Sequence, residues 1–302
     1  MMEIIKPGLY TTVQDYPGRV GYWDIGIPPS GPMDSLAFRV ANCLVGNPEG
    51  AAGLEITAIG PVIRFENETR VAYGSRVRMM KAGEILDLTK VDGGGFRSYL
   101  AVAGGIDVPD YLGSKSTFPF GQFGGFEGRP LKAGDRLKIG ESTSDYSGIV
   151  PKGLMPDYKN QWEIDVLPGP HGSPDYFTEE SEEMFYATDW KAHYQSNRLG
   201  YRLIGPEPTF ARENGGEGGR HPSNLHDYVY SIGSVNFTGN LPIVLTQDGP
   251  SLGGFVCLAT IITADLWKMG QVRPNDTIRF VRVSLEGALE KRSKIEELLA
   301  KI

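Results

Sequence analysis

The chain has 302 residues and a formal net charge of −7, with 30 Lys and Arg against 37 Asp and Glu. That balance removes the basic footprint a nucleic-acid partner requires, and 40% hydrophobic with 22% charged residues is an ordinary globular mixture. With 40 glycines, 21 prolines and little helical periodicity, the expected class is mainly β, broken by many turns.

No apolar stretch reaches the roughly 18 residues of a membrane span, and the opening MMEIIKPG lacks the apolar core of a signal peptide. A cytoplasmic protein without a membrane partner is expected. Cys43 and Cys257 lie far apart and read as buried free thiols.

In chain order, residues 2–5 and 9–14 read as strands around the turn Pro7-Gly8. The first helix follows the irregular run Pro28-Pro29-Ser30-Gly31-Pro32, with Ser30 as its expected N-cap and Pro32 in its first turn. Leu36, Val40, Cys43 and Leu44 give it one apolar stripe, and Gly46 stops it. From 54 to 139 the pattern is strand after strand. It is interrupted at 121–128 (GQFGGFEG), where four glycines in eight residues predict a mobile loop or a close backbone approach.

A weak repeat links the two halves. Residues 95–103 (GFRSYLAVA) echo 254–261 (GFVCLATI), and LKAGDRLKI (131–139) parallels VRPNDTIRF (272–280). Two similar β domains are expected, 1–145 and 160–302, joined by a linker within 142–159. In the second half, residues 162–167 read as a strand leading to Gly169-Pro170-His171. A helix over 178–191 has Thr178 as N-cap and acidic residues at its positive end. Residues 241–246 read as a buried strand, followed by Asp248-Gly249-Pro250-Ser251, the pair Gly253-Gly254 and a second strand over 255–263. The tail, 284–302, reads as a helix with Leu285, Leu289, Ile295 and Leu299 on one face.

Few standard chemistries fit. His221 and His226 are five apart beside Asp227, but no HExxH, CxxC or His-x-His pattern exists, so no metal is expected. Ser223 and Ser251 lack a G-x-S-x-G elbow. A P-loop is also missing.

Three stretches of residues 221–280, HPSNLHDYVYSIGSVNFTG, QDGPSLGGFVC and LWKMGQVRPNDTIRF, together with residues 8–47 and SNRLGYRL, resemble one family along essentially the whole chain. It is the biotin-dependent carboxyltransferase, or allophanate hydrolase subunit 2, family. Its members include the carboxyltransferase region of urea carboxylase, the 5-oxoprolinase C-subunit and the Kip antagonist. The resemblance implies two cyclophilin-like β-barrel domains and transfer of CO2 from carboxybiotin to an acceptor nitrogen of urea, guanidine or another amide. QDYPGR, GIPPSGPMD and HPSNLHD look like the urea carboxylase version. The alternatives are a 5-oxoprolinase C-subunit or a non-catalytic regulator of the Kip-antagonist kind.

Such a transfer asks the protein to hold two partners together, exclude water and balance developing charge. A lysine and an arginine suit a carboxylate and a ureido oxygen, and a carboxylate suits the N–H groups of urea. The expected catalytic residues are Lys268, Asp248, His226 and Arg198, with Asn224, Ser251, Gly253 and Gly254 binding substrate or biotin. Gln14, Asp15, Arg19 and Asp34 are assigned to folding the N-terminal loop. Trp267-Lys268-Met269-Gly270 departs from the Met-Lys-Met of a biotin carrier, so biotin would be carried by a separate protein or domain. The implied partners are a subunit resembling allophanate hydrolase subunit 1 (Kip-inhibitor-like), a biotin carboxylase that alone uses ATP, a biotin carboxyl carrier protein and a small amide acceptor. Glycine-rich loops at 121–128 and 215–219 suggest a site completed by the second subunit.

Overall fold

Short runs rich in branched residues, cut at intervals by Gly and Pro, fold as strands along almost the whole chain. The computed structural model describes residues 1–90, 95–142, 149–155 and 157–302, so part of the expected linker lies outside the described residues. Two units result. One holds Met1–Gly21, Pro29–Tyr158 and Ile295–Ile302, and the other Tyr22–Pro28 and Lys159–Lys294. Unit membership therefore departs from chain order at two short segments, 22–28 and 295–302.

The first unit is built from two five-stranded sheets. One has the order Ile85–Asp87, Val62–Phe65, Met2–Lys6, Arg136–Ile139, Ile106–Asp107. The other has Tyr10–Gln14, Gly53–Thr57, Arg97–Val102, Thr69–Tyr73, Arg76–Met80. Alternate residues of both sheets, among them Met2, Ile4, Leu54, Ile56, Ile63, Phe65, Leu100 and Val102, meet in one apolar core.

Helix α1 (Ser35–Leu44) carries the predicted stripe, with Leu36, Val40 and Leu44 buried. Its N-cap is Asp34 rather than Ser30: Asp34 Oδ1 accepts from the Ala37 N–H at 2.9 Å. Ser30 instead occupies the left-handed region at φ 56°, inside the turn before the helix. Gly46, at φ 76°, donates to the Cys43 carbonyl and ends the helix as expected.

The polar group of the N-terminal loop is structural. Asp15 accepts from the Ser114 hydroxyl at 2.6 Å and the Lys115 N–H at 2.7 Å. Gln14 Oε1 accepts from the Gly31 N–H at 3.1 Å. Buried Arg19 donates to the carbonyls of Tyr111 and Ser116 at 3.0 and 2.8 Å. Its guanidinium also lies 4.9 Å from the centre of the Phe123 ring. The glycine loop is a close approach: a Cβ at Gly124 would stand 2.1 Å from the Ser116 carbonyl oxygen, and one at Gly125 1.9 Å from Thr117 Oγ1. The loop is packed rather than open.

The second unit is a closed seven-stranded barrel. Its order is Gln161–Pro168, Cys257–Ile261, Ser234–Thr238, Leu241–Leu245, Gly200–Ile204, Trp190–Ala192, Thr277–Arg282. The last strand closes it by parallel pairing with the first, from Gln161↔Thr277 to Val166↔Arg282. Helix α2 (Glu179–Ala187) starts at Thr178, whose side chain accepts from the Ser181 N–H. It stops earlier than the sequence suggests, because Trp190–Ala192 is a barrel strand. Phe185 of α2 stacks on Phe280 at 4.9 Å and meets Trp190 and Phe237, forming an aromatic core. Helix α3 (Leu285–Leu299) forms as predicted, but Leu285 and Leu289 are exposed, so only part of its apolar face is covered.

The sequence repeat has a structural counterpart in the two turns. Gly134 (φ 89°) precedes Asp135, and Asn275 (φ 73°) precedes Asp276. In each turn the Asp side chain accepts from the N–H three residues back, Lys132 at 2.7 Å and Arg273 at 2.9 Å. Glycine and asparagine are the residues that tolerate the left-handed conformation there.

Candidate functional site

The segment read as one strand over 255–263 is two. Leu252–Phe255 pairs with Asn224–Val229 in a separate two-stranded sheet, and Cys257–Ile261 enters the barrel. Val256 makes the crossing, donating to the Ser223 carbonyl and accepting from the Phe237 N–H, both at 3.0 Å. The small sheet therefore springs from the barrel wall. Its register is Asn224↔Phe255, Tyr228↔Gly253 and Val229↔Leu252, with an irregularity between Asn224 and Tyr228.

This sheet gathers four of the predicted residues: Asn224, His226, Gly253 and Gly254. His226 lies in the irregular stretch and is exposed. Asn224 Nδ2 donates to the Gly219 carbonyl at 2.9 Å. The glycines are explained by close packing. A Cβ at Gly253 would be 2.4 Å from Tyr230 Cε2, and one at Gly254 2.7 Å from the Leu225 carbonyl oxygen. Ser251 is buried at the base of the same sheet, where its carbonyl accepts from the Tyr230 N–H at 2.8 Å. Tyr230 is fixed further by Trp23 Nε1–H, which donates to its carbonyl at 2.9 Å. The Tyr230 hydroxyl accepts from the Phe255 N–H at 2.8 Å. Burial pushes its phenol up to about 12, so it stays protonated at neutral pH.

Arg198 and Asp248 are brought together with each other, as a buried ion pair between the loop before Gly200–Ile204 and the loop after Leu241–Leu245. Lys268 shares none of these contacts. It lies in the 3-10 helix Thr263–Gly270, where Nζ donates to the Glu163 carbonyl at 2.6 Å and to Asp265 Oδ2 at 2.8 Å. Its ammonium is therefore held by the Glu163 carbonyl and the Asp265 carboxylate rather than by any other predicted site residue.

Sequence reasoning missed the group that ties the small sheet to the barrel, His171. It follows the strand Gln161–Pro168, donates its backbone N–H to the Cys257 carbonyl at 3.1 Å and accepts the Cys257 N–H on Nδ1 at 3.0 Å. With Nδ1 accepting, a neutral ring carries its proton on Nε2. The edges of Tyr176 and Tyr228 pack against it at 4.7 and 4.4 Å. Burial pushes the imidazole below its ordinary value, against the opposing pull of the Glu217 carboxylate. The only sequence signal was a lone histidine after Gly-Pro, with no partner at ligand spacing. His221, by contrast, is satisfied structurally by Ser223 and Asn240 at 2.9 and 3.1 Å.

Behind the sheet, Asn236 of the barrel strand Ser234–Thr238 is 2% exposed, and neither its Oδ1 nor its Nδ2 has a hydrogen-bond partner among the described residues. The set as a whole is an imidazole and three phenols with uncharged donors and acceptors, and the Glu217 carboxylate accepts from the Tyr176 hydroxyl at its edge. It can orient and desolvate polar ligands. No group of three or more His, Cys, Asp or Glu positioned for a metal occurs among the described residues.

The family described as "Carboxyltransferase domain, subdomain A and B" matches residues 25–282. The chain belongs to this carboxyltransferase family. It is 50% identical to the urea amidolyase of Lachancea kluyveri over 95% of this chain and 17% of that protein. It is 39% identical to the 5-oxoprolinase C-subunit of Escherichia coli over 97% of this chain and 94% of that protein. The crystal structure of the Kluyveromyces lactis urea carboxylase superposes with a TM-score of 0.92 at 48% identity, covering 98% of this chain and 29% of that one. This carboxyltransferase chain thus spans about a sixth of the urea amidolyase it matches. The mainly β expectation and the family resemblance are borne out. No described helix is long and apolar enough to cross a membrane.

Proposed function

We propose that this chain is the carboxyltransferase component of a biotin-dependent, urea carboxylase-like enzyme, moving a carboxyl group to an acceptor nitrogen. The observation that carries the reading is the 50% identity to a urea amidolyase over 95% of this chain. When bound, carboxybiotin on a separate carrier would supply the carboxyl group. A ureido group needs donors for one carbonyl oxygen and acceptors for its N–H edges. The residues beneath the small sheet fit: neutral His171 offers Nε2–H, and Asn236 offers an amide oxygen and an NH2.

The work of the chain is positioning and dryness. Gly253 and Gly254 let the sheet close tightly against Tyr230 and Leu225. Tyr228 and Tyr176 flank the His171 ring and fix its orientation, so that its Nε2–H can donate to developing negative charge. The Arg198–Asp248 pair fixes the loop carrying Ser251. His226, Asn224 and Ser251 are retained as proposals for contact with substrate or partner, and Lys268 is instead proposed to hold the Asp265 carboxylate. A biotin carboxylase using ATP, a carrier protein and a subunit-1-like partner complete the proposed enzyme.

The test is reconstitution with a biotin carboxylase, a biotinylated carrier, the subunit-1-like partner, ATP and bicarbonate. Urea-dependent ATP turnover that needs this chain is expected. The 94% coverage of the Escherichia coli 5-oxoprolinase C-subunit favours the second reading, a component of a 5-oxoprolinase. Turnover that depends on 5-oxoproline and ignores biotin would overturn the first reading in favour of that one.

A further inference from the structure

Asn236 sits where the barrel would accept an apolar residue. Its neighbours in sequence, Val235 and Phe237, are fully buried, and Phe237 packs on Phe177, Phe185 and Trp190. Strand alternation therefore turns Asn236 to the other face of the barrel wall. Across the ladder it is paired with Ile243 on one side and Cys257 on the other. Cys257 is the residue whose N–H and carbonyl are both taken by His171. The strand Leu252–Phe255, which carries Gly253 and Gly254, packs against the strand of Asn236. The amide thus lies in the wall under the small sheet, one strand away from the backbone that holds His171.

Both amide atoms are buried and have no partner among the described residues. A buried amide with nothing to bond is far costlier than a leucine of nearly the same volume. We propose that Asn236 is a ligand-binding residue whose amide pairs in plane with the adjacent N–H and C=O of a ureido group, the chemistry shared by biotin and urea. A primary amide presents one acceptor and one donor side by side, uncharged, matching that edge. A carboxylate only accepts and would bring a buried charge. The inference rests on the carboxyltransferase reading of the site and names the residue that reads its ligand.

The experiment is a pair of titrations of the purified chain, one with free biotin and one with urea, followed by ligand-observed NMR. Each is run on the wild type and on Asn236→Leu, alongside thermal melts. Binding of at least one probe is expected, weakened at least tenfold in the variant, while the variant melts at the same or a higher temperature. Loss in the biotin arm alone assigns the carrier's ureido ring, and loss in the urea arm alone assigns the acceptor. Wild-type-like binding of both probes by the variant would overturn the inference, leaving Asn236 a buried polar residue only. Absence of binding to either probe in the wild type would overturn it too. Should the leucine not fold, Asn236→Ala removes the same amide without adding volume. Neither titration needs carboxyl transfer, so a failed reconstitution refutes the functional reading without touching this result.

Discussion

Arg198 and Asp248 form a two-point ion pair, Nε to Oδ2 at 2.7 Å and Nη2 to Oδ1 at 3.0 Å, with both side chains buried. The loops that carry them are joined again by their backbones, Asp248 N–H to the Arg198 carbonyl at 2.9 Å and Thr246 Oγ1–H to the same carbonyl at 2.7 Å. Residues chosen for charge complementarity to a substrate are thus complementary first to each other. A buried pair is costly to break and less costly to replace entirely. Arg198→Met or Asp248→Asn should each lose about 3–5 kcal/mol of stability. The double variant Arg198→Met with Asp248→Leu should recover a large part of that loss. Thermal unfolding of the three variants measures it, and single variants as stable as the wild type would refute a structural role for the pair.

His171 supplies a pH prediction. Its folded value is pushed below the ordinary 6.5 by burial. The unfolded chain therefore takes up the proton first as pH falls. The stabilisation is full above the unfolded value and is lost as pH drops below about 6.5. The melting temperature of the wild type should fall more steeply between pH 7 and pH 5 than that of His171→Gln. Parallel curves for the two proteins would mean that the ring is not held neutral by its surroundings.

Much of the architecture was legible because it rests on local chemistry. Thr178 caps α2 because its hydroxyl can accept from Ser181 N–H, a signal written in the residue type. The turn before Asp276 repeats the turn before Asp135 because both need a residue that tolerates the left-handed region. What was not legible depends on long-range placement. Ser30 is a good cap by type, yet Asp34 takes the role because the Ser30 backbone is committed to a turn. The pairing of Arg198 with Asp248, 50 residues away, is invisible to spacing. The same holds for His171 and Cys257, 86 residues apart. Of the residues proposed for the site, Gly253 and Gly254 stood out in the sequence as a pair permitting close approach, and Asn224 through the family resemblance. His171 and Asn236, which the sequence did not mark, are single polar residues whose meaning comes only from burial.

Gly253 marks where the small sheet touches Tyr230. A methyl at this position would stand 2.4 Å from Cε2 and 2.6 Å from the hydroxyl of that ring. The ring would have to move and would release the Phe255 N–H it now accepts. Gly253→Ala should cost about 1–3 kcal/mol, as overpacking does. In a Tyr230→Leu background the same change should cost clearly less. Melting temperatures of the four proteins, with amide exchange at Phe255, provide the check. Equal costs in both backgrounds would show that the contact is not what requires glycine.

The last prediction concerns Lys268, which the sequence placed in the chemistry. Asp265 is fully buried, and its Oδ2 accepts from the Asp165 N–H and from Lys268 Nζ, each at 2.8 Å. Lys291 Nζ reaches Asp265 Oδ1 at 2.8 Å and Asp165 Oδ2 at 2.6 Å, linking α3 to the barrel. Burial works against the Lys291 ammonium, but its bonds to Asp165 and Asp265 outweigh burial and hold it above the ordinary range. That contribution is complete below about pH 10.5 and is lost only above it. The network is therefore intact across the working range. Asp265→Ala leaves two ammonium groups around a site built for a carboxylate and should cost about 3–5 kcal/mol. Lys268→Ala should cost less, about 1–3 kcal/mol, because Lys291 still neutralises Asp265. Carboxyl transfer by Lys268→Ala, measured well below its melting temperature in the reconstituted enzyme, should stay within a few-fold of the wild type. An unchanged melting temperature with transfer abolished would reverse this assignment and return Lys268 to the reacting site.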